Sequence, residues 1–174
     1  NTITPDKNPV VATFGVRDSS YIVEVFEMLL KQNKQIRFLI CGQSDTDQFK
    51  AINEFVYFTG YIAAAEVPYF LKTASIFFLP DFADKKNRGG TSRKSGSLAA
   101  ALFAGIPVVG IKGDNNGKEV QLNPTIFLEN YYDKNGIVNR ILSILKTPSN
   151  ERTPYDSTLY WKYISTLYFP GPGK

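Results

Sequence analysis

Residues 88–110 read RGGTSRKSGSLAAALFAGIPVVG. The segment opens as a loop rich in glycine and cations and passes through Ser95, Gly96 and Ser97. It then becomes an apolar helix over about 98–104 and stops at Gly105 before a strand over 107–110. The first turn of a helix leaves backbone N–H groups without intrahelical partners, and the aligned peptide dipoles put partial positive charge at that end. Gly89, Gly90 and Gly96 allow close approach, Ser92, Ser95 and Ser97 supply hydroxyls, and Arg93 and Lys94 supply charge, so the segment has the makings of an anion site. Alone, the same residues would also make a capped core helix behind a solvated loop. Their position in the chain favours the anion site.

On the N-terminal side, VVATF (10–14) is a short β-branched run ended by Gly15, which predicts a buried strand and a tight turn. Ser19 and Ser20 precede YIVEVFEMLLKQ, where Ile22, Val25, Phe26, Leu29 and Leu30 recur at helical spacing behind a serine cap. IRFLICG then reads as a second strand, DTDQFKAINEF as a short helix or turn, and VYFTG as a third strand. AAEVPYFLKTA reads as a helix with Pro68 in its first turn, where a missing N–H costs least, and SIFFLP as a fourth strand. Beyond residue 110 come the loop GDNNGKEVQLN, a strand TIFLE and a helix NGIVNRILSILK.

Strands that alternate with helices predict the α/β class: a doubly wound parallel sheet with helices on both faces, because parallel neighbours need right-handed crossover connections. Ligands of such sheets lie beyond the carboxyl ends of the strands, where the strand order reverses, usually between the first strand and the fourth. The turn GVRDSS follows the first strand and the basic loop follows the fourth. Arg17, Lys94 and the backbone of residues 95–97 are therefore expected to converge on one anion.

The turn after the first strand carries neither G-x-G-x-x-G nor G-x-x-x-x-G-K-[ST], so dinucleotide binding and P-loop ATP hydrolysis are not expected. Asp45-Thr46-Asp47 has the spacing of a shared cation site, yet reads as a solvated turn, and no metal is placed there. With no histidine in 174 residues, any imidazole base lies outside this chain. One cysteine, Cys41, cannot form an internal disulfide, and its place in RFLIC predicts a buried strand end. The balance of 20 Lys and Arg against 16 Asp and Glu gives +4, which suits an anionic ligand or a membrane surface, while no basic block resembles a nucleic-acid footprint. No apolar run reaches the length of a bilayer span. A single domain over 1–174 is expected, with 1–8 as a linker, in a chain that looks like part of something longer.

The order of these segments resembles the C-terminal, donor-binding half of GT-B glycosyltransferases, especially the retaining group 1 or family 4 enzymes. The matching pieces are FGVR, RFLICGQ, VYFTGYIAAAEVPYFLKTASIFFLP and, above all, SLAAALFAGIPVVG; NGIVNRILSILK and YWKYISTLY are similar to the closing helices. The resemblance implies a Rossmann-like half of a GT-B fold that binds a UDP- or GDP-sugar without a cofactor. The diphosphate would lie on Gly15, Arg17, Arg93, Lys94, Ser95, Gly96 and Ser97, the base at Gly60 and Tyr61, and the donor sugar or ribose at Ser92 and Glu119. It also implies an N-terminal acceptor domain missing from this chain, transfer of sugar to a glycan or lipid, and a cytoplasmic location at or near the inner face of a membrane.

Two departures from the family pattern stand in this sequence. Many members carry two glutamates separated by seven residues, and those positions hold Ser92 and Ala100; the lysine expected soon after Arg17 is not evident in DSSYIVE. Ser92, Arg93 and Lys94 would then replace part of the sugar contact. The departures leave open a non-catalytic module of the same fold, and the shared cleft leaves open a sugar-nucleotide epimerase. For Tyr61, packing against the fourth strand and stacking on a base are both open.

Overall fold

The computed structural model describes residues 8–14, 19–63, 65–92 and 94–147. Six strands form one sheet: β1 (Val10–Phe14), β2 (Arg37–Cys41), β3 (Val56–Phe58), β4 (Ile76–Phe78), β5 (Val108–Ile111) and β6 (Ile126–Glu129). They lie in the order β3-β2-β1-β4-β5-β6, and every neighbouring pair is parallel. The predicted doubly wound α/β fold is thus present, with its reversal of strand order between β1 and β4.

The central strands β1, β2, β4 and β5 are buried on both faces, as parallel sheets require, whereas the edge strand β3 leaves Tyr57 exposed. Val11, Phe38, Ile40, Ile76, Phe78, Val109 and Ile111 point to one side, where α1 (Ser20–Gln32) and α5 (Lys134–Lys146) cover them. Ala12, Leu39, Cys41, Phe77 and Val108 point to the other, beneath α2 (Val67–Leu71), α3 (Gly96–Ala104) and α4 (Lys118–Gln121). The apolar stripe read from α1 is the one that packs: Ile22, Val25, Phe26, Leu29 and Leu30 are its buried residues. Phe26 stacks on Phe38 with ring centroids 3.9 Å apart, which ties the helix to β2.

Local expectations fared unevenly. Pro68 sits in the first turn of α2, where it removes no helical hydrogen bond, but α2 has only five residues. The segment Thr46–Phe55 is a 3₁₀ helix kinked at Ile52. Asp45 caps it, accepting the Asp47 N–H at 3.1 Å, and Asp47 pairs with Lys50 at 3.2 Å. The two carboxylates of the Asp45-Thr46-Asp47 triplet thus act locally in a turn. Ser19 occupies the N-cap of α1, but its side chain does not cap the helix; its own N–H donates to Gln48 Oε1 at 2.8 Å. The short helix α4 falls where a plain loop was expected.

Candidate functional site

The candidate site lies at the carboxyl edge of the sheet, where β1 and β4 run side by side. Val10 donates its N–H to Ser75 Oγ at 3.2 Å and accepts the Ser75 N–H at 2.8 Å, so the two strands enter the sheet together. Gly15 and Arg17, which follow β1 in sequence, lie outside the described residues, as do Arg93 and the C-terminal YWKYISTLY. The convergence of Arg17 with the second loop is therefore carried forward as a proposal.

The loop after β4 is built rather than loose. Leu79 still bonds to the Val109 carbonyl at 2.9 Å, after which an antiparallel bridge between Ala83 and Gly89 folds the chain back on itself. Asp84 fills the tip: it accepts the Lys86 and Arg88 N–H groups at 2.8 and 2.9 Å and the Arg88 Nε at 2.6 Å. The Arg88 backbone donor, followed by its side chain, holds the Asp84 carboxyl below its ordinary range. Arg88 is thereby engaged within the loop.

Gly89 and Gly90 have φ of +109° and +80°. A Cβ on Gly90 would lie 2.8 Å from the Gly113 nitrogen and the Ile111 oxygen, and one on Gly89 would overlap the Phe82 carbonyl. The positive φ expected at these glycines is present, and their missing side chains admit the backbone of Phe82 and of the loop after β5. Thr91, fully buried, completes that contact: its N–H donates to the Ile111 carbonyl and its Oγ1 accepts the Ile111 N–H, both at 2.8 Å. Asn116, also buried, donates from Nδ2 to the Thr91 and Ile111 carbonyls and accepts the Gly113 N–H at 2.6 Å.

This frame delivers the entry to α3. The Ser92 carbonyl accepts the Ser95 N–H at 3.0 Å, and Ser92 Oγ accepts the Lys94 N–H at 3.2 Å. Ser95 is the N-cap, with its Oγ accepting the Leu98 N–H at 3.2 Å. The Ala99 N–H is taken by the Ser95 carbonyl. That leaves the Gly96 and Ser97 N–H groups, which find no acceptor among the described residues. A Cβ at Gly96 would meet nothing within 4 Å, so that position has room for a side chain. Lys94 is exposed beside them. The helix begins at Gly96, two residues earlier than its apolar run, and ends at Gly105 with φ of +74° in the left-handed C-terminal conformation.

One acidic group stands at the same edge. Asp81, three residues beyond the end of β4, is half-buried. Burial pushes its pKa up to about 6, opposed in part by the nearby Ser92 backbone N–H. Sequence reading passed over Asp81; the one available signal was an acid directly after LP in a loop otherwise dominated by cations.

The remaining predicted residues spread along the edge. Gly60, with φ of +63°, pairs with Gly42 in an isolated bridge beyond β3. Tyr61 is 83% exposed, so it does not pack against β4. Glu119 lies in the first turn of α4 and is exposed. Among the described residues no helix is long and apolar enough to cross a membrane.

The fold is shared with solved glycosyltransferases. S. aureus TarM in complex with UDP superposes with a TM-score of 0.68 at 15% identity, over 96% of this chain and 34% of that one. Anabaena HepE in complex with UDP and glucose gives 0.62 at 16%, over 94% and 49%. The C-terminal domain of a group 1 family protein, LpcC, from Francisella tularensis gives 0.60 at 12%, over 95% and 87%. The chain thus spans about a third to a half of the two longer proteins and nearly all of the isolated domain. A comparison with curated proteins returns no match. The family model for group 1 glycosyl transferases matches residues 10–147, most of the chain, and this chain belongs to that family.

Proposed function

We propose that this chain is the donor-binding domain of a glycosyltransferase, holding a nucleotide-diphosphate sugar at the crevice between β1 and β4. The observation that carries this reading is the pair of N–H groups at Gly96 and Ser97 that meet no acceptor among the described residues, at the start of the helix that follows β4, beside the reversal of strand order. Lys94 and Arg93 supply cations from the second loop, with Arg17 and the Gly15 backbone completing the cradle from the first. Ser95 presents the cap. Positive charge gathered there favours the departing diphosphate as the bond to the sugar breaks, which is electrostatic stabilisation of the transition state.

The base then extends toward Gly60 and Tyr61. β3 is three strand positions from β4, roughly 14 Å at the usual inter-strand spacing, a span suited to a nucleoside attached to the diphosphate. Tyr61 offers an exposed ring for stacking. The sugar faces Ser92 and Glu119 and, across the cleft, an N-terminal acceptor domain that precedes residue 8. TarM and HepE were each solved in complex with UDP, which makes UDP and UDP-sugars the first ligands to test, with GDP and GDP-sugars beside them. The protein works on the cytoplasmic side of a membrane, to which the net charge of +4 draws it.

The test is thermal unfolding with each nucleotide. A ligand at a hundred times its Kd should stabilise the fold by about 2.7 kcal/mol, a rise of roughly 5–10 °C for a domain of this size. Lys94→Ala combined with Arg17→Ala should abolish the rise; no shift with UDP or GDP in the unaltered protein would refute the reading. Ser92 and Ala100 favour a second reading, a module that binds the nucleotide sugar without transferring it. Nucleotide binding without turnover by the longer protein would select that alternative.

A further inference from the structure

We infer that the rings of Phe82, Tyr131 and Tyr132 form a stacking platform for the acceptor of the transfer, and that the acceptor presents a neutral saccharide to them. The inference rests on the donor-binding reading above and adds to it a place for the second substrate on this domain.

The platform joins segments that are far apart in sequence. Tyr131 is its centre: Tyr21 stacks on it with ring centroids 4.3 Å apart and planes 8° from parallel. Phe82 and Tyr132 meet the same ring at near right angles, with centroids 5.2 and 5.4 Å away. The Tyr21 hydroxyl donates to the Tyr131 carbonyl at 2.6 Å, and the Lys134 ammonium lies 5.2 Å from the centre of the Tyr21 ring, so the inner pair is fixed. The Phe82 carbonyl accepts the Gly90 N–H at 2.8 Å, which ties Phe82 to the loop that leads into α3. Tyr21 follows β1, Phe82 follows β4, and Tyr131 and Tyr132 follow β6, so the rings gather at the carboxyl edge of the sheet, the edge that holds the donor crevice.

Area and charge select the occupant. Phe82 is 62% and Tyr132 51% exposed. Covering two such rings hides about 300–500 Å² at most. That is short of the roughly 800 Å² each partner gives to a stable protein interface, so the platform suits a small ligand with a flat apolar face. Lys134 pairs with Glu24, Arg88 with Asp84, and Asp133 accepts the Gly136 N–H at 2.8 Å, so these charges beside the rings are matched within the protein. A neutral sugar meets both conditions. The faces of its ring carry C–H groups, polarised by the adjoining oxygens, that are attracted to the negative face of an aromatic ring, while its hydroxyls stay in water. Lys85 and Lys86 are exposed at the tip of the Phe82 loop, which makes an anionic membrane the rival occupant.

The experiment is saturation-transfer NMR on the full chain with maltose, cellobiose, lactose, chitobiose and mannobiose, set against Phe82→Ala, Tyr132→Ala and the double variant. At least one disaccharide should take up saturation on its ring C–H protons. Each alanine should weaken that sugar by about 2- to 10-fold, the worth of one aromatic contact. Phe82→Tyr and Tyr132→Phe keep the rings and should bind as the unaltered protein does. The altered side chains are exposed, and either ring can be tested alone if one variant fails to fold. No saturation of any of these sugars would overturn the inference, as would undiminished binding by the double variant. Flotation with phosphatidylglycerol vesicles that the double variant loses would assign the rings to a membrane, and a dimer that it loses would assign them to a second copy of the chain; either result overturns the inference. The thermal response of the unaltered chain to UDP and GDP reads the donor site separately. Sugar binding with no nucleotide response would remove the donor-binding reading and leave the platform as a saccharide site.

Discussion

The carboxamide of Asn116 donates to the Thr91 carbonyl at 2.8 Å, joining the loop after β5 to the loop that leads into α3. Both residues are buried, and the same carboxamide accepts the Gly113 N–H and reaches the Ile111 carbonyl. The entry to the proposed diphosphate cradle is therefore held by a side chain that lies outside it.

Asn116→Ala should cost about 2–3 kcal/mol, since it strands buried backbone groups that have no water to turn to. Asn116→Asp should cost more, because a carboxylate cannot donate to the two carbonyls and would oppose them. Urea unfolding of the three proteins checks the order. Nucleotide affinity should fall with the alanine even under conditions where the protein remains folded.

Gly90 and Gly96 should respond in opposite ways to the same replacement. Gly90→Ala places a Cβ 2.8 Å from backbone atoms at a φ of +80°, and a loss of about 3 kcal/mol or more is expected. Gly96→Ala meets open space at the start of a helix and should stabilise the free protein by about 0.4–1 kcal/mol. If the Gly96 N–H faces a phosphate, that gain should come with weaker UDP or GDP binding. Denaturation and calorimetry on the same two variants separate the effects.

The Asp81 pKa, pushed up to about 6 from an ordinary 3.8, has a definite sign in stability. A carboxyl whose folded pKa is raised favours the folded state at low pH, and that contribution is lost as pH rises through about 6. Asp81→Asn removes the penalty of the charged form. The variant should therefore gain on the unaltered protein between about pH 4 and pH 7, reaching roughly 1–2 kcal/mol at pH 8. Stability measured against pH for both proteins tests this, and parallel curves would contradict it.

Cys41 is buried at the end of β2, and desolvation pushes its thiol up to about 12. A thiol reagent at pH 8 should leave it untouched in the folded protein and modify it fully in denaturant. Nucleotide binding should slow the reaction further, since only opened molecules expose the sulfur.

The sheet was legible because its signals are local and repeated. Five-residue β-branched runs such as VVATF, the stripe from Ile22 to Leu30, and the Gly105 stop each mark their own element. Their alternation leaves little choice of topology. The cradle was legible in part for the same reason: Ser95 caps α3 as its residue type suggests. What escaped reading depends on partners far apart in sequence. The close backbone of Phe82 beside Gly89, and of Gly113 and Ile111 beside Gly90, has no local signal in the sequence. Asn116 reads as one more polar loop residue until Thr91 arrives 25 positions earlier. Ser19 has the identity of a cap, but its side chain makes no cap hydrogen bond and its hydroxyl meets Ser44 Oγ, from a separate segment, at 3.4 Å. Asp81 carries no pattern, and its environment alone distinguishes it.

The place of β1 in the middle of the sheet bears on how the chain assembles during synthesis. β1 is made first, yet one of its flanks waits for β4, and the Val10–Ser75 contact that joins them spans 65 residues. A nascent chain that has emerged only through β3 holds three strands with β1 as a bare, hydrophobic edge, a template for wrong pairing between ribosome-bound neighbours. Folding should accordingly be slow for the domain's size and should complete only after β4 is released.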